Sequence, residues 1–260
     1  LIGPKKYEEL TAYNYELKRT INLGIFAFIA YPILVVMKFI HFVFGNWGVA
    51  IIILTLLIKL VFYPLTKASY ESMQKIKEIQ PEIQALKERI EDQNTLHQEI
   101  LKLYREKGVN PLGGCLPSLI QLPVFFGLFS ALRNAIELRH APYALWIKDL
   151  SAPQRLYVGS FGIPVLALIM GAAMLAQQKI MPSSADPQQK KIGLFMTIFF
   201  VAMFILYPFP SGLALYMIVN FTMSLFQQYL MTVEKDISIF KALLMASGGI
   251  FLIGYLLTLI

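Results

Sequence analysis

The chain has 260 residues, of which 57% are hydrophobic and only 15% charged, and its formal net charge is +7. Soluble domains carry about 25% charged residues, so this composition indicates an integral membrane protein and argues against a soluble enzyme. The single cysteine excludes an intramolecular disulfide framework. The basic excess is typical either of cytoplasmic loops or of nucleic-acid binding, and the first is favoured in so apolar a chain.

The N-terminal part contains a polar stretch, an interrupted apolar stretch and then a clear span. Residues 1–20 are polar, and residues 21–44 are apolar but interrupted by a proline, a lysine and a histidine. Such a segment either crosses the bilayer or lies in its interface. Residues 47–66 are long enough to cross a bilayer, and Trp47 and Tyr63 stand near their ends as interfacial anchors do.

Lys59 lies inside this first span. A charge at such a depth costs ~2.5–3.5 kcal/mol on insertion scales, and none of the other predicted spans contains an Asp or Glu. An unpaired ammonium group must lose its proton, reach the interface along its own stem, or lie in water. The nearest interface is near Lys67, ~12 Å along a helix, and a lysine stem covers only part of that. We therefore predict a water-filled pocket within the membrane, with Lys59 facing it.

Residues 67–109 form a polar insertion with eight basic and eight acidic residues. Pro81 is typical of a first helical turn, and Gly108 of a C-terminal cap. On each side of an expected turn at Asp92-Gln93-Asn94, apolar residues recur at spacings of three and four, which predicts two amphipathic helices packed as an antiparallel hairpin. The apolar positions are Ile83, Leu86, Ile90, Leu96, Ile100 and Leu103.

Further apolar segments follow the insertion. Gln227 and Gln228 are expected near the end of the fifth span, and a last apolar stretch, 239–260, is long enough to be a sixth. The second to fifth spans are predicted at about residues 115–133, 158–178, 192–207 and 213–231.

The orientation follows from the basic residues in the loops. If the 67–109 insertion and the 179–191 loop share one side, that side carries eight and three Lys or Arg residues, against four on the opposite side. The positive-inside rule therefore predicts that the hairpin is cytoplasmic.

Several short motifs occur in chain order between about residues 45 and 230. They are Asn46-Trp47-Gly48, Tyr63-Pro64-Leu65-Thr66-Lys67, Asn110-Pro111-Leu112-Gly113-Gly114-Cys115-Leu116-Pro117, Gln121-Leu122-Pro123 and Pro210-Ser211-Gly212-Leu213. Each is weak alone, but together they are specific, and the chain closely resembles the YidC/Oxa/Alb family of membrane protein insertases.

The resemblance implies an all-α integral membrane protein. Its core would be five transmembrane helices around a hydrophilic groove at residues 45–232, with the cytoplasmic hairpin, 67–109, inserted in it. Residues 21–44 would be an amphipathic helix in the periplasmic interface. Residues 1–20 resemble the end of the large periplasmic domain of Gram-negative-type members, so that domain and a first span would precede them. Residues 233–260 would be a C-terminal hydrophobic segment.

The resemblance also implies which residues line the groove. Members typically place an arginine on the first core helix, and the matching position is Lys59, which keeps the positive charge but not the planar guanidinium. Each polar candidate could instead make an ordinary helix–helix hydrogen bond worth under ~2 kcal/mol. The candidate substrate-contacting residues are Lys59, Thr55, Gln121, Thr197, Tyr216, Met217 and Asn220.

The implied function is that of an insertase and chaperone of the bacterial inner membrane, acting alone or with the Sec translocon. It would move hydrophilic tails part-way through a wet groove and release transmembrane segments into lipid. Its expected partners are nascent membrane proteins and membrane lipids, with the Sec translocon and the ribosome as further candidates. In the hairpin, Leu86, Ile90, Ile100 and Leu103 would form the apolar seam of a helix pair that acts during insertion.

We expect no chemical reaction, cofactor, metal or nucleotide. His41, His97 and His140 are far apart in sequence, and Gly113-Gly114 lacks the lysine of a phosphate-binding loop. One alternative is a secondary transporter or channel with an intramembrane lysine site, but the inverted repeats typical of transporters are not evident. Another is a structural subunit of the Sec translocon.

Overall fold

A computed structural model of the chain describes residues 25–110, 113, 116–153, 155–158, 161–180, 187–207 and 209–233. The described chain is almost entirely helical, which confirms the predicted all-α class. The predictions for residues 1–20 and, apart from Val233, for residues 233–260 lie outside these ranges. The elements are α1 (Ala27–Phe44), α2 (Trp47–Val61), α3 (Tyr63–Glu78), α4 (Gln80–Arg89), α5 (Gln93–Glu106), α6 (Leu116–Asn134), a 3-10 turn (Ile136–Leu138), β1 (Leu156–Val158), β2 (Phe161–Ile163), α7 (Val165–Ile180), α8 (Pro187–Leu206) and α9 (Ser211–Val233).

Helix α1 is apolar on both of its faces. One face buries residues at spacings of three and four, from Ala30 to Ile40, and packs against α2 and α6. The opposite face exposes Phe28, Phe39 and Phe42. With 18 residues and a mean hydropathy of 2.0, α1 is long and apolar enough to cross a membrane. Its outer face is suited to lipid, and the placement of residues 21–44 in the interface stays a prediction.

The first span, predicted at residues 47–66, is broken by a bend. Helices α2 and α3 meet at Phe62 and are bent by 60° relative to each other. Pro64 stands in the first turn of α3, where its ring is tolerated, whereas in a continuous helix it would clash with the carbonyl four residues earlier. Because α3 continues to Glu78, the polar insertion begins inside a helix instead of after one.

Helices α4 and α5 form the hairpin. Lys107 Nζ lies 2.6 Å from Glu82 Oε1. This ion pair joins the end of α5 to the start of α4, which shows that the two helices are antiparallel. The expected turn at Asp92-Gln93-Asn94 is wrong by about two residues, because α5 already begins at Gln93. The Asp92 carboxylate caps that helix by accepting from Thr95 N–H at 2.8 Å and from its hydroxyl at 2.6 Å. These two bonds, the hydroxyl first, hold the pKa of Asp92 below its usual value.

The hairpin cluster is a small apolar core made by Ile79, Ile83 and Val109, with Ile100 and Leu103 packed against it. Leu86 and Ile90 are half-buried, and Leu96 is buried. The predicted cap at Gly108 is confirmed: its φ is +63°, and Val109 N–H donates to Tyr104 O at 2.8 Å across it. Glycine adopts this left-handed conformation without strain.

Helix α9 is the centre of the bundle and contacts α2, α3, α6 and α7, while α8 packs against α7. Three contacts show that α9 runs parallel to α2 and then beside α3. Gly212 lies against Ile51, Ser224 bonds Lys59, and Thr232 bonds Tyr70. We call the end at which α2 and α9 begin the loop end, and the end that carries α3–α5 the hairpin end.

The loop end is closed by the segment between α6 and α7. Asn46 caps α2 by accepting from Gly48 N–H at 2.8 Å, and its amide donates to Tyr143 O at 3.1 Å. Ser211 and Gly212 N–H at the start of α9 donate to carbonyl groups of residues 152 and 150. The third predicted span corresponds to α7. It starts at Val165, later than predicted, because β1 and β2 form an antiparallel hairpin before it.

Candidate functional site

Lys59 is held by a hydroxyl group. Its Nζ donates to Ser224 Oγ at 2.7 Å, and Ser224 Oγ in turn donates to Asn220 O at 2.9 Å. None of the carboxylates in the described part of the chain is within ion-pairing distance of Lys59. Among the described residues, therefore, the charge between α2 and α9 has no fixed counter-ion.

The Lys59 side chain extends toward the hairpin end. Ile51 and Gly212 lie side by side, and from them Lys59 is ~12 Å along α2, whereas Ser224 is ~18 Å along α9. The ammonium group is thus ~6 Å nearer the hairpin end than its own backbone. This direction agrees with partial snorkelling, but the bond to Ser224 holds the charge well inside α9, which continues to Val233.

A polar stripe runs along one face of α9. Tyr216, Asn220 and Gln227 are spaced by four and seven residues, which places them on a single helix face, and all three are buried. Tyr216 accepts a hydrogen bond from Gln121 Nε2 of α6. Asn220 Oδ1 and both polar atoms of the Gln227 side chain have no hydrogen-bond partner among the described residues.

The structure brings together only part of the predicted set. Lys59 is joined to α9 through Ser224 and the backbone carbonyl of Asn220, and Gln121 is joined to it separately through Tyr216. The other three candidates lie apart from these bonds: Thr55 donates to Ile51 O of its own helix at 2.7 Å, Met217 is buried, and Thr197 is bonded by Gln178 of α7.

The Thr197 contact joins a different helix pair. Gln178 Nε2 also donates to Gly193 O at 2.8 Å, so one amide side chain ties α7 to α8. Among the candidates, Thr197 therefore best fits the ordinary helix–helix hydrogen bond.

Sequence reasoning left three residues out of the candidate set. Ser224 is one of the mid-span polar residues for which the sequence favours an ordinary helix–helix hydrogen bond, and its position four residues after Asn220 is the signal that could have added it to the set. Gln227 was expected near the end of the span, but α9 continues for six residues beyond it. The pairing of Gln178 has no local signal, because its partners lie across a connection to another helix.

A cavity of about 110 Å³ lies at the loop end, away from Lys59, between α7, α8 and α9. Arg155 lines it and donates to Ile205 O at 3.2 Å. Since a cation is favourable at a helix C-terminus, Arg155 stabilises the end of α8. None of the seven candidate residues lines this cavity.

Acidic and histidine side chains in the described ranges form no group of three that could hold a metal. His41 stacks on Trp47 with ring centroids 4.1 Å apart. His140 Nδ1 lies 3.3 Å from Asp149 Oδ2 in the loop-end segment. Burial favours a higher pKa for Asp149, but hydrogen bonds from Ser151 and His140 outweigh it and hold that pKa below its usual value.

The chain is similar in sequence to proteins named membrane protein insertase over most of its length. The family model described as 60Kd inner membrane protein matches residues 39–237. Relatives named membrane protein insertase YidC include that of Syntrophobacter fumaroxidans, 47% identical over 234 residues, and that of Geobacter sulfurreducens, 46% identical over 228 residues. These alignments cover 88% and 87% of this chain but 42% and 41% of the relatives. The chain thus spans about two fifths of the length of the curated relatives it matches.

A solved structure shares the fold. It is described as an active YidC insertase crystal structure with the first transmembrane domain resolved, and it matches with a TM-score of 0.64 and 29% sequence identity. The match covers 89% of this chain and 54% of that one. This chain therefore belongs to the 60Kd inner membrane protein family, the YidC/Oxa/Alb family of inner-membrane insertases.

Proposed function

We propose that this chain forms the membrane-inserting core of an insertase and chaperone. It moves hydrophilic tails of nascent membrane proteins part-way into the bundle and releases transmembrane segments into lipid, without a chemical reaction or nucleotide hydrolysis. The observation that carries the proposal is Lys59: a charge between two apolar helices, bonded to the neutral Ser224 and next to a buried polar stripe. The names of the relatives support the same activity.

The physical problem is that polar tails cannot enter hydrocarbon without hydrogen-bond partners. The α9 stripe supplies such partners, and Lys59 attracts acidic residues of the tail at a site where the low dielectric strengthens the interaction. The hydrophobic segment of the substrate then leaves sideways, because apolar side chains partition out of water. The exposed apolar surface of α8, which includes Phe195, Ile198 and Phe199, is suited to the surrounding lipid.

The orientation belongs to this proposal. The basic residues of the 67–109 insertion favour a cytoplasmic hairpin end, so the closed loop end would face the periplasm. Substrates then enter from the side on which they are synthesised. The hairpin is the candidate contact for the Sec translocon and the ribosome, and nascent chains and lipids contact the bundle.

The test uses the full-length protein, reconstituted alone in liposomes, and two single-span substrates that differ only in an acidic or an uncharged tail. We expect Lys59→Arg to insert both. Lys59→Met should insert the acidic-tailed substrate about tenfold less, since ~1.4 kcal/mol of attraction corresponds to that factor. The fold should survive, because Ser224 keeps its bond to Asn220 O.

Lys67→Met is the matched control. It removes the same charge from an exposed position eight residues away, where Lys67 Nζ is 3.9 Å from Glu71 Oε1. Equal insertion of the acidic-tailed substrate by the Lys59→Met variant and the parent would sink the proposed role of Lys59. Failure of the parent protein to insert either substrate would sink the insertase activity itself.

A further inference from the structure

Helix α9 buries amide groups that the described residues do not satisfy. Gln227 is 3% exposed and Asn220 is 7% exposed. Both polar atoms of the Gln227 side chain, and Asn220 Oδ1, lack a hydrogen-bond partner within the described ranges. Leaving such groups unpaired is unfavourable, and most buried polar groups in folded proteins are paired. An apolar side chain of the same shape would fit the bundle better, so packing alone does not explain two amides.

The spacing of the two amides matches an extended polypeptide. Seven residues of α-helix are close to two full turns, so Asn220 and Gln227 share a face at ~10.5 Å from each other. An extended chain rises ~3.3 Å per residue, so three residues cover the same distance. Met223 lies between them and is fully buried. Its flexible side chain can move aside for a bound segment.

The chemistry also matches a peptide backbone. A carboxamide offers both a donor and an acceptor, as each backbone amide does. Ser224, which holds Lys59, is one turn beyond Asn220 on an adjacent part of α9. A chain lying along the stripe would therefore pass close to the positive charge.

We propose that Asn220 and Gln227 bind the main chain of an extended, hydrophilic segment of the substrate through their carboxamide groups. This inference rests on the proposed function and deepens it. Lys59 selects charge, whereas the amides recognise the backbone that every tail has, whatever its side chains. Each backbone group that leaves water is costly unless it finds a partner, so these amides would ease the entry of uncharged tails that Lys59 cannot attract.

The test compares two synthetic single-span peptides in liposomes that contain the full-length protein. One peptide has a glycine-rich tail, and the other has sarcosine in its place, which removes the backbone N–H groups without adding charge. We expect Gln227→Met to lower insertion of the glycine tail about fivefold, the factor that one ordinary hydrogen bond supplies. Insertion of the sarcosine tail should fall less, so the ratio between the two tails becomes smaller than with the parent. Asn220→Leu should change the ratio in the same direction.

Thr222→Val is the matched control, because Thr222 is exposed on the opposite side of α9, and it should leave both tails unchanged. Protein-free liposomes give the spontaneous rate for each tail. An equal loss for both tails would mean that the amides only support the bundle, and no loss for either would mean that they bind nothing; each result overturns the inference. In both cases the Lys59 experiment still decides the proposed function separately.

Discussion

If Lys59 binds substrate as proposed, its bond to Ser224 explains why a neutral partner suits a transient binding site. A hydroxyl holds the ammonium group at 2.7 Å, but a carboxylate would bind it more strongly because it adds the attraction of an opposite charge. In the proposed mechanism an acidic residue of a substrate would therefore replace Ser224, whereas it would not easily displace a built-in carboxylate. The bond to Ser224 thus fixes the position of Lys59 and leaves its positive charge available to an acidic group.

A permanent counter-ion should abolish this availability. We expect Ser224→Asp to reduce insertion of the acidic-tailed substrate about as much as Lys59→Met does, and to leave the uncharged tail unaffected. Ser224→Ala removes the hydroxyl but adds no charge, so it should retain insertion of both. The measurement is the liposome insertion rate, and a Ser224→Asp protein that still prefers acidic tails would contradict the argument.

Gly48 carries a second residue-scale prediction, on stability. A Cβ at this position would lie 2.0 Å from Tyr143 Cδ2, and Tyr143 is fixed by bonds from its own N–H to Ile147 O and from Asn46 to its carbonyl. Since the ring must shift, Gly48→Ala should destabilise the protein by ~1–3 kcal/mol. Thermal unfolding in detergent measures this as a lower midpoint.

Gly193→Ala is the control for Gly48. The atoms nearest to its Cβ would be those at the end of the flexible Gln178 side chain, the first at 3.3 Å. The substitution also raises helix propensity, so it should be neutral or mildly stabilising. Equal unfolding midpoints for the two variants would show that the loop end tolerates a displaced Tyr143.

At the scale of elements, the hairpin and the bundle differ in how they are held. The bundle has one large apolar core that joins α1, α2, α6, α7 and α9, whereas the hairpin cluster is small. Few buried apolar contacts and many solvated backbone groups are typical of segments that open locally. The hairpin should therefore exchange its amide hydrogens faster than α2 and α9 do.

Ile83 provides a test of the hairpin at a buried position. It is 5% exposed in the hairpin cluster, so Ile83→Ala should cost the local structure ~2–5 kcal/mol. Leu101→Ala, at a site 50% exposed, is the control and should have little effect. Hydrogen exchange of the α4 and α5 amides reports the difference. If the hairpin opens in the Ile83 variant while insertion stays normal, the hairpin is a spacer.

At the scale of the whole molecule, the two ends of the bundle are unequal. The loop end is sealed by Tyr143 against Gly48 and by loop carbonyl groups at the start of α9. Gln227, at one end of the polar stripe, and the Lys59 ammonium group lie toward the hairpin end. A bundle built in this way would admit water and polar tails from one side only.

Cysteine labelling tests this asymmetry. In a Cys115→Ser background, Ser224→Cys and Gln121→Cys should react with a small water-soluble maleimide added on the hairpin side. Val49→Cys and Leu128→Cys should react much more slowly, because these positions are 2% and 0% exposed in the apolar core. Similar rates at all four positions would contradict a one-sided polar interior.

The sequence by itself determined the class of the protein and the features that depend on neighbours along the chain. Hydropathy located the apolar helices, since a helix in lipid must satisfy its own backbone and needs a minimum apolar length. The cap at Gly108 and the antiparallel hairpin followed from local spacing and conformational preference. The proline that separates α2 from α3 was also visible in the sequence, although its 60° effect was not.

Only the tertiary structure decided which polar side chains meet. Lys59 and Ser224 are 165 positions apart, and Gln121 and Tyr216 are 95 apart. Thr197 has the same mid-span polarity as Asn220, but its helix packs against α7 and takes it to another contact. The β-hairpin before α7 was also missed, as was the buried Gln227 amide, which has no partner among the described residues. Periodicity shows which face of a helix is polar, but the partner of that face is set by long-range packing, which local spacing does not encode.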